Sequence, residues 1–361
     1  MIIGHGGNIY DIAHRLGCEP SDIIDMSSNV NPLGPPPGLM AFLQENLNVI
    51  TALPQVDARL LVHSFAGRYG VDSDCVLAGN GSTQFIYAIP LALKTQSALI
   101  LGPTYADYAD ACSMHNIPYQ YIFVHEDQGF KAPWDLIKRQ IKESAADTIF
   151  VCNPNNPTGV FHAAAEIESL CGAFPDRTFI IDESYLPFVP SGNKESLIGR
   201  GLTNVVILNS MSKIFRISGL RIGFAIASES TINELSRYSL PWSVNALAQI
   251  GVRYLMDHEA EVTAFIRQTH ALIENEKKRF ADHFNSASDL KLFESSTSFI
   301  LGKLDYRHTA DSICQGLLED KILIRNCSNF KGLSNQFIRI SLKNDEKNIL
   351  LIDNLMNLLS Q

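Results

Sequence analysis

Four short apolar, β-branched runs punctuate the middle of the chain: ALILG (98–102), TIFVC (148–152), TFIID (178–182) and VVILN (205–209). Each ends in turn-forming or polar residues, the pattern of strands buried on both faces of an α/β sheet. Between them lie helix-length amphipathic segments, YADYADACSMHN (105–116) and AAAEIESLCGAF (163–174). This alternation predicts an α/β fold with a largely parallel sheet, helices on both faces, and ligand groups gathered at the carboxyl ends of the strands. Beyond residue 240 the period changes. Residues 244–284 keep helical periodicity over a length that implies one long or broken helix, followed by strand candidates SFILGKL (298–304), KILIRNC (321–327) and QFIRISL (336–342) and a closing helix. That order predicts a smaller α+β domain. The first 35 residues end in the turn-rich NVNPLGPPPG and read as an arm. The expected organisation is an arm over 1–35 joining the small domain, a large domain over 36–243 and the small domain over 244–361.

Composition narrows the partners. A chain of 361 residues with 46% hydrophobic and 19% charged content buries a substantial core. Lys and Arg number 29 against 38 Asp and Glu, a formal net charge of −9 that repels polyanions. Nucleic acid is therefore not expected as a partner, whereas a small phosphorylated ligand needs only a local basic pocket. The seven cysteines are scattered and never form a C-x-x-C pair, which suits reduced thiols and argues against a zinc site. The N-terminus MIIGHGGNIY has no basic segment leading into an apolar run, and no stretch approaches the roughly 18 apolar residues of a membrane span. These features predict a soluble, cytoplasmic protein with no membrane partner and no metal.

Candidate chemistry falls at strand ends. NPNNPTG (153–159) forms a turn that can aim an Asn side chain back over the sheet edge, although Asn-Pro turns are also common structural punctuation. IIDESYLPF (180–188) places Asp182 at the end of an apolar strand, where a buried carboxylate calls for a cation or serves as a helix cap. GNGSTQFIY (79–87) puts Gly81, Ser82 and Thr83 at a helix N-terminus, where free N–H groups favour an anion such as phosphate; the alternative is a plain Ser or Thr cap. SMSKIFRISGLRIGF (210–224) adds Ser210, Ser212, Lys213 and Arg221. Ser210 and Lys213 stand at S-x-x-K spacing, which in one enzyme class marks a serine nucleophile, but the K-T-G strand of that class occurs nowhere in the chain. Two phosphate-binding elements, a buried anion, an aimed Asn and one lysine together match the parts of pyridoxal 5'-phosphate: phosphate, ring nitrogen, phenolic oxygen and aldehyde.

The order GNG-[ST]-[ST], NNPTG, DE-x-[YF]-x-x-F and S-x-[ST]-K-x-[FY]-x-x-x-G-L-R-x-G resembles that of class I/II aminotransferase-like enzymes of fold type I, which depend on pyridoxal phosphate. The resemblance implies a large domain built on a mostly parallel seven-stranded sheet plus a smaller α+β domain, and a homodimer. It also implies roles by position. Lys213 is the imine-forming amine, Asp182 pairs with the pyridine nitrogen, and Asn156 and Tyr185 meet the phenolic oxygen. Tyr105, in GPTYADY, stacks on the ring, and Gly81, Ser82, Thr83, Ser210, Ser212 and Arg221 hold the cofactor phosphate.

Within that family, HGGNI (5–9), IIDMSSNVNPLG (23–34), LPWSVNALAQ (240–249) and ILIRNCSNFKGLSNQFIRISL (322–342) look like the threonine-phosphate decarboxylases of cobalamin synthesis. Histidinol-phosphate aminotransferases are near relatives. Both act on phosphorylated amines, so the resemblance implies a small phosphorylated amino-acid substrate held by His5, Asn29, Asn156, Arg325 and Arg339. Two arginines on neighbouring strands offer forked donors to a phosphate and a carboxylate. Two positions depart from the pattern: Leu53-Pro54 stands where the family often has Tyr-Pro in a segment that crosses a dimer, and Tyr185 stands where decarboxylase relatives have Phe. Decarboxylation and transamination differ in which Cα bond is held perpendicular to the cofactor ring, a matter of placement rather than composition.

Overall fold

The apolar runs at 98, 148, 178 and 205 lie side by side because each is greasy on both faces and only an interior position hides both. In the computed structural model, which describes residues 6–284 and 289–360, the strands are β1 (Ile24–Asp25), β2 (Val76–Gly79), β3 (Ala98–Gly102), β4 (Tyr119–Phe123), β5 (Thr148–Cys152), β6 (Thr178–Asp182), β7 (Val205–Ser210), β8 (Gly223–Ile226), β9 (Leu290–Leu292), β10 (Phe299–Leu304), β11 (Ile322–Leu323), β12 (Arg325–Asn326) and β13 (Phe337–Ser341). Seven of them form one sheet in the order β2-β8-β7-β6-β5-β3-β4. Only β8 runs against its neighbours, pairing antiparallel with both β2 and β7, so the mostly parallel seven-stranded sheet expected from the sequence is present.

Alternate side chains of the strands feed separate cores. Ile100, Phe150, Ile180 and Val206 pack with Phe85, Ile89 and Tyr108 from helices Gly81–Ala92 and Asp107–Met114. Leu99, Ile149, Phe179, Ile181 and Ile207 point the other way, into a core that includes Phe65 and Ile141. At about 25 cal/mol per Å² of apolar surface removed from water, burial on both sides is what fixes the sheet centrally.

The second sheet has the order β12-β13-β10-β9, all antiparallel. The region 321–327, read as one strand, divides into two short pieces. Ile322 and Leu323 pair parallel with Ile24 and Asp25, while Arg325 and Asn326 pair with Arg339 and Ile338. The chain changes partner at Ile324. Residues 244–284 form two helices, Ala246–Asp257 and Glu259–Phe284, broken at His258, whose ψ of 54° is not helical. Among the described residues no helix is long and apolar enough to cross a membrane, and no cluster of three metal-ligating side chains occurs.

Candidate active site

The parallel register levels Cys152 with Asp182 and Asp182 with Leu208, so the loops after β5, β6 and β7 leave the sheet at one edge. This is where an α/β sheet collects ligand-binding groups. Asp182, at the end of β6, is buried with both oxygens engaged. Its Oδ2 accepts from the Tyr108 hydroxyl at 2.8 Å and its Oδ1 from the Ser184 N–H at 2.9 Å. Lys213 lies in the four-residue helix Met211–Ile214 directly after β7. Desolvation, with the charges of Arg221 and Arg339, pulls its amine from the ordinary 10.5 down to about 8, against the opposing pull of Asp182 and Asp107.

A cavity of about 550 Å³ opens above Lys213. Asn29, Tyr105, Asn156, Tyr185, Lys213, Arg325 and Arg339 all line it, although they come from six separate parts of the chain. Arg325 and Arg339 face each other as directly paired residues of β12 and β13. Arg339 is buried; its Nη1 donates to Asn156 Oδ1 and its Nη2 to the Ser27 carbonyl at 2.7 Å. Among the described residues its buried Nε has no hydrogen-bond partner. Burial disfavours the Arg339 charge and lowers its pKa. Arg325 donates to Asn329 Oδ1 at 2.7 Å and lies over the Phe330 ring. Asn29 Nδ2 donates to the Tyr185 hydroxyl at 3.3 Å, and Asn29 Oδ1 accepts from Ser341 Oγ at 2.6 Å. Burial raises the Tyr185 pKa to about 12, so the hydroxyl stays protonated at neutral pH. His5 lies outside the described residues.

The groups read as phosphate ligands gather at the start of helix Gly81–Ala92. Gly81 has φ +75°, and a Cβ on it would sit 2.7 Å from Arg221 Nη2; a Cβ on Gly223 would sit 2.3 Å from the Ser82 nitrogen. The two glycines therefore let the guanidinium and the helix start approach each other. Ser82 and Thr83 occupy the first turn, whose N–H groups have no intrahelical acceptor. Ser212 Oγ donates to the Ile222 carbonyl at 3.2 Å, next to this point. Ser210 ends β7 and lines a second cavity of about 340 Å³, together with Tyr69, Asn209 and Met211.

Several contributors were not singled out from sequence. Tyr108 is one; a buried Asp182 signalled a partner, but not which. Arg216 and Asp25 also line the main cavity, so three arginines and Lys213 share it with that carboxylate. Burial works against the Asp25 charge, yet hydrogen bonds from Ser28 and Ser27, with the Lys343 charge, bring its pKa below the ordinary value. Asp25 Oδ1 accepts from the Ser27 N–H at 2.8 Å and Oγ at 2.7 Å, and from the Ser28 N–H at 3.2 Å. This turn chemistry presents Ser27, Ser28 and Asn29 to the cavity.

The arrangement unites an amine that is partly neutral at physiological pH, a buried carboxylate, and a cavity rich in guanidinium groups. Consistent with it, residues 21–355 match the aminotransferase class I and II family, and the chain belongs to that family of pyridoxal-phosphate-dependent enzymes. Among individual proteins, the adenosylcobalamin biosynthesis bifunctional protein CobDQ of Leptospira interrogans is 31% identical over 98% of the chain, which spans 41% of that protein's length. The crystal structure of L-threonine-O-3-phosphate decarboxylase from Porphyromonas gingivalis is 32% identical, covers 94% of this chain and 100% of its own, and has a TM-score of 0.82. The histidinol-phosphate aminotransferase structure from Clostridium acetobutylicum is 26% identical over 94% of this chain and 99% of its own, with a TM-score of 0.84.

Proposed function

We propose that this protein is a pyridoxal-phosphate-dependent decarboxylase that converts O-phospho-L-threonine to (R)-1-amino-2-propanol phosphate in cobalamin biosynthesis, acting as a homodimer in the cytoplasm. The observation that carries the substrate class is the facing pair Arg325 and Arg339 in the same cavity as Lys213. A ligand with one anion has no need of two such guanidinium groups beside a third, Arg216, whereas a phosphoamino acid carries two. The similarity to the Porphyromonas decarboxylase over that protein's whole length supports the same reading.

The residues fit the cofactor. The glycine cradle between Gly81 and Arg221 leaves backbone N–H groups and a guanidinium for its phosphate, with the Ser82 and Thr83 side chains in the same helical turn; the Ser212 hydroxyl joins them by turning from the Ile222 carbonyl, and Ser210, which lines the second cavity, ends the neighbouring strand β7. Asp182 arrives prefixed by Tyr108 and Ser184 for the ring nitrogen, Tyr105 for the ring face, and Asn156 and Tyr185 for the phenolic oxygen. When bound, pyridoxal phosphate supplies an aldehyde that captures amines and an electron sink for the pair left when a Cα bond breaks. Arg339, fixed by Asn156 and Ser27, holds one substrate anion and Arg325 the other. Lys213 Nζ, with its lowered pKa, returns the proton to the substrate Cα after carbon dioxide leaves. Asn29 fixes the Tyr185 hydroxyl beside that centre.

Amino transfer is the second reading, favoured by Tyr185 standing where many aminotransferases carry Tyr. The test is carbon dioxide release from O-phospho-L-threonine by purified holoenzyme, without formation of a keto acid. Lys213→Ala should reduce turnover by orders of magnitude while the protein stays folded. A holoenzyme silent in that assay that instead moves the amino group of histidinol phosphate to 2-oxoglutarate would replace decarboxylation with transamination.

A further inference from the structure

The lysine helix is too short to stand alone. Four residues, Met211–Ile214, cannot recover the cost of helix nucleation from their own hydrogen bonds. At the N-terminal end, Ser210 makes no side-chain cap. The last carbonyls of any helix lack intrahelical partners and require donors from elsewhere.

The amides of Phe215, Ile217 and Arg216 reach the Met211, Ser212 and Lys213 carbonyls locally, and the remaining donors come from Asn31, 183 residues from Ile214 in sequence. The Asn31 backbone N–H donates to the Lys213 carbonyl at 3.0 Å, and its Nδ2 donates to the Ile214 carbonyl at 2.7 Å. The second Nδ2 proton goes to Thr269 Oγ1 at 2.8 Å, on the helix Glu259–Phe284. Asn31 Oδ1 accepts from the Leu33 N–H at 2.9 Å. The side chain is fully buried, at 0% exposure, and every donor and acceptor it has is engaged. Only Asn and Gln carry two amide donors and an amide acceptor, and Gln is longer by one methylene. Asn31 also stands two residues from Asn29, which lines the substrate cavity and touches Tyr185. One short stretch of chain therefore presents an Asn to the cavity and, two residues on, an Asn to the lysine helix.

We infer that Asn31 is a positioning residue for Lys213: it caps the C-terminal end of the lysine helix from outside and ties that helix to the Asn29 segment. The inference concerns the protein without cofactor as much as with it, and it rests on the proposed role of Lys213 only for its consequence in catalysis. Thr269 separates positioning from general stability. Its loss would open the same buried cluster while leaving both bonds to the lysine helix in place.

The experiment uses the full-length, cofactor-free protein and its Asn31→Ala, Asn31→Ser and Thr269→Val variants. Two quantities are read: hydrogen exchange at the amides of Phe215, Arg216 and Ile217, which close onto residues 211–213, and the pH midpoint for capture of pyridoxal 5'-phosphate, trapped on Lys213 with borohydride. The Asn31 variants should exchange at least tenfold faster there. Their capture midpoint should move upward from about 8 toward the ordinary lysine value as water reaches the loosened helix. Thr269→Val should shift neither quantity. Asn31 variants indistinguishable from wild type in exchange, or a Thr269→Val variant altered to the same degree, would overturn the proposal. If no variant, nor the wild type, captures the aldehyde at any pH, the cofactor reading fails, and the exchange measurement still decides the role of Asn31. Asn31→Ser retains a small polar side chain, so the comparison survives if the Ala variant does not fold.

Discussion

Desolvation and two guanidinium groups act on Lys213 in one direction, and Asp182 with Asp107 in the other; the former win, leaving the amine at about 8. At pH 7 roughly one amine in ten is then neutral, against about three in ten thousand for an ordinary lysine. Because only the neutral amine attacks an aldehyde, capture of pyridoxal 5'-phosphate by the cofactor-free protein should rise about tenfold per pH unit below 8 and level off above it. Absorbance-monitored capture across pH 6 to 11 measures this, and a rise continuing to pH 10 would place Lys213 in a bulk-like setting. The lysine and Asp182 were legible in the sequence because each is chemically conspicuous at a strand end. Tyr108 was not. Its hydroxyl reaches Asp182 across two neighbouring elements, and nothing in GPTYADY distinguishes the tyrosine that lines the cavity from the one that holds the carboxylate.

At the scale of elements, the junction between helix Gly81–Ala92 and the segment before β8 depends on absent side chains. Gly81 adopts φ +75°, where an L-residue is strained by about 1–2 kcal/mol, and its missing Cβ makes room for Arg221. Gly81→Ala should lower the thermal midpoint of the protein and, by displacing the guanidinium, weaken pyridoxal 5'-phosphate binding at least tenfold in an absorbance titration. Cofactor affinity equal to wild type would show that Arg221 does not act from this position. The same element showed in the sequence as a glycine-rich turn entering a helix, since periodicity and turn chemistry are local signals. Non-local geometry was hidden. The segment 321–327 has the apolar content of one strand, yet Ile324 is the point where pairing passes from Ile24–Asp25 to Phe337–Ser341. That change is dictated by the elements waiting on either side. Likewise nothing local marks Asn31 as the cap of a helix 183 residues away; in sequence it belongs to a turn-rich tail.

At the scale of the whole molecule, large apolar side chains remain on the surface where residues 47–60 meet 238–242. Leu53 is 77% exposed and Leu240 74%, with Ile50, Val56 and Trp242 also uncovered. The two segments are joined by the Trp242 N–H donating to the Val56 carbonyl at 2.9 Å. A net charge of −9 favours solvation, so apolar side chains concentrated in one patch point to a covered state. A second copy of the chain is the occupant expected from the resemblance, in which the segment at Leu53-Pro54 reaches across the dimer. Leu53 has no hydroxyl to offer a cofactor phosphate, so in such a dimer it would bring apolar contact alone. Sedimentation of the purified protein at micromolar concentration should give a dimer, and Leu53→Asp combined with Leu240→Asp should give a folded monomer, because two charges cannot be desolvated in that contact without partners. If the partner also completes the site, that monomer binds pyridoxal 5'-phosphate more weakly than the dimer does. A wild-type monomer that binds the cofactor as tightly as the double variant would remove both the interface and its part in the site.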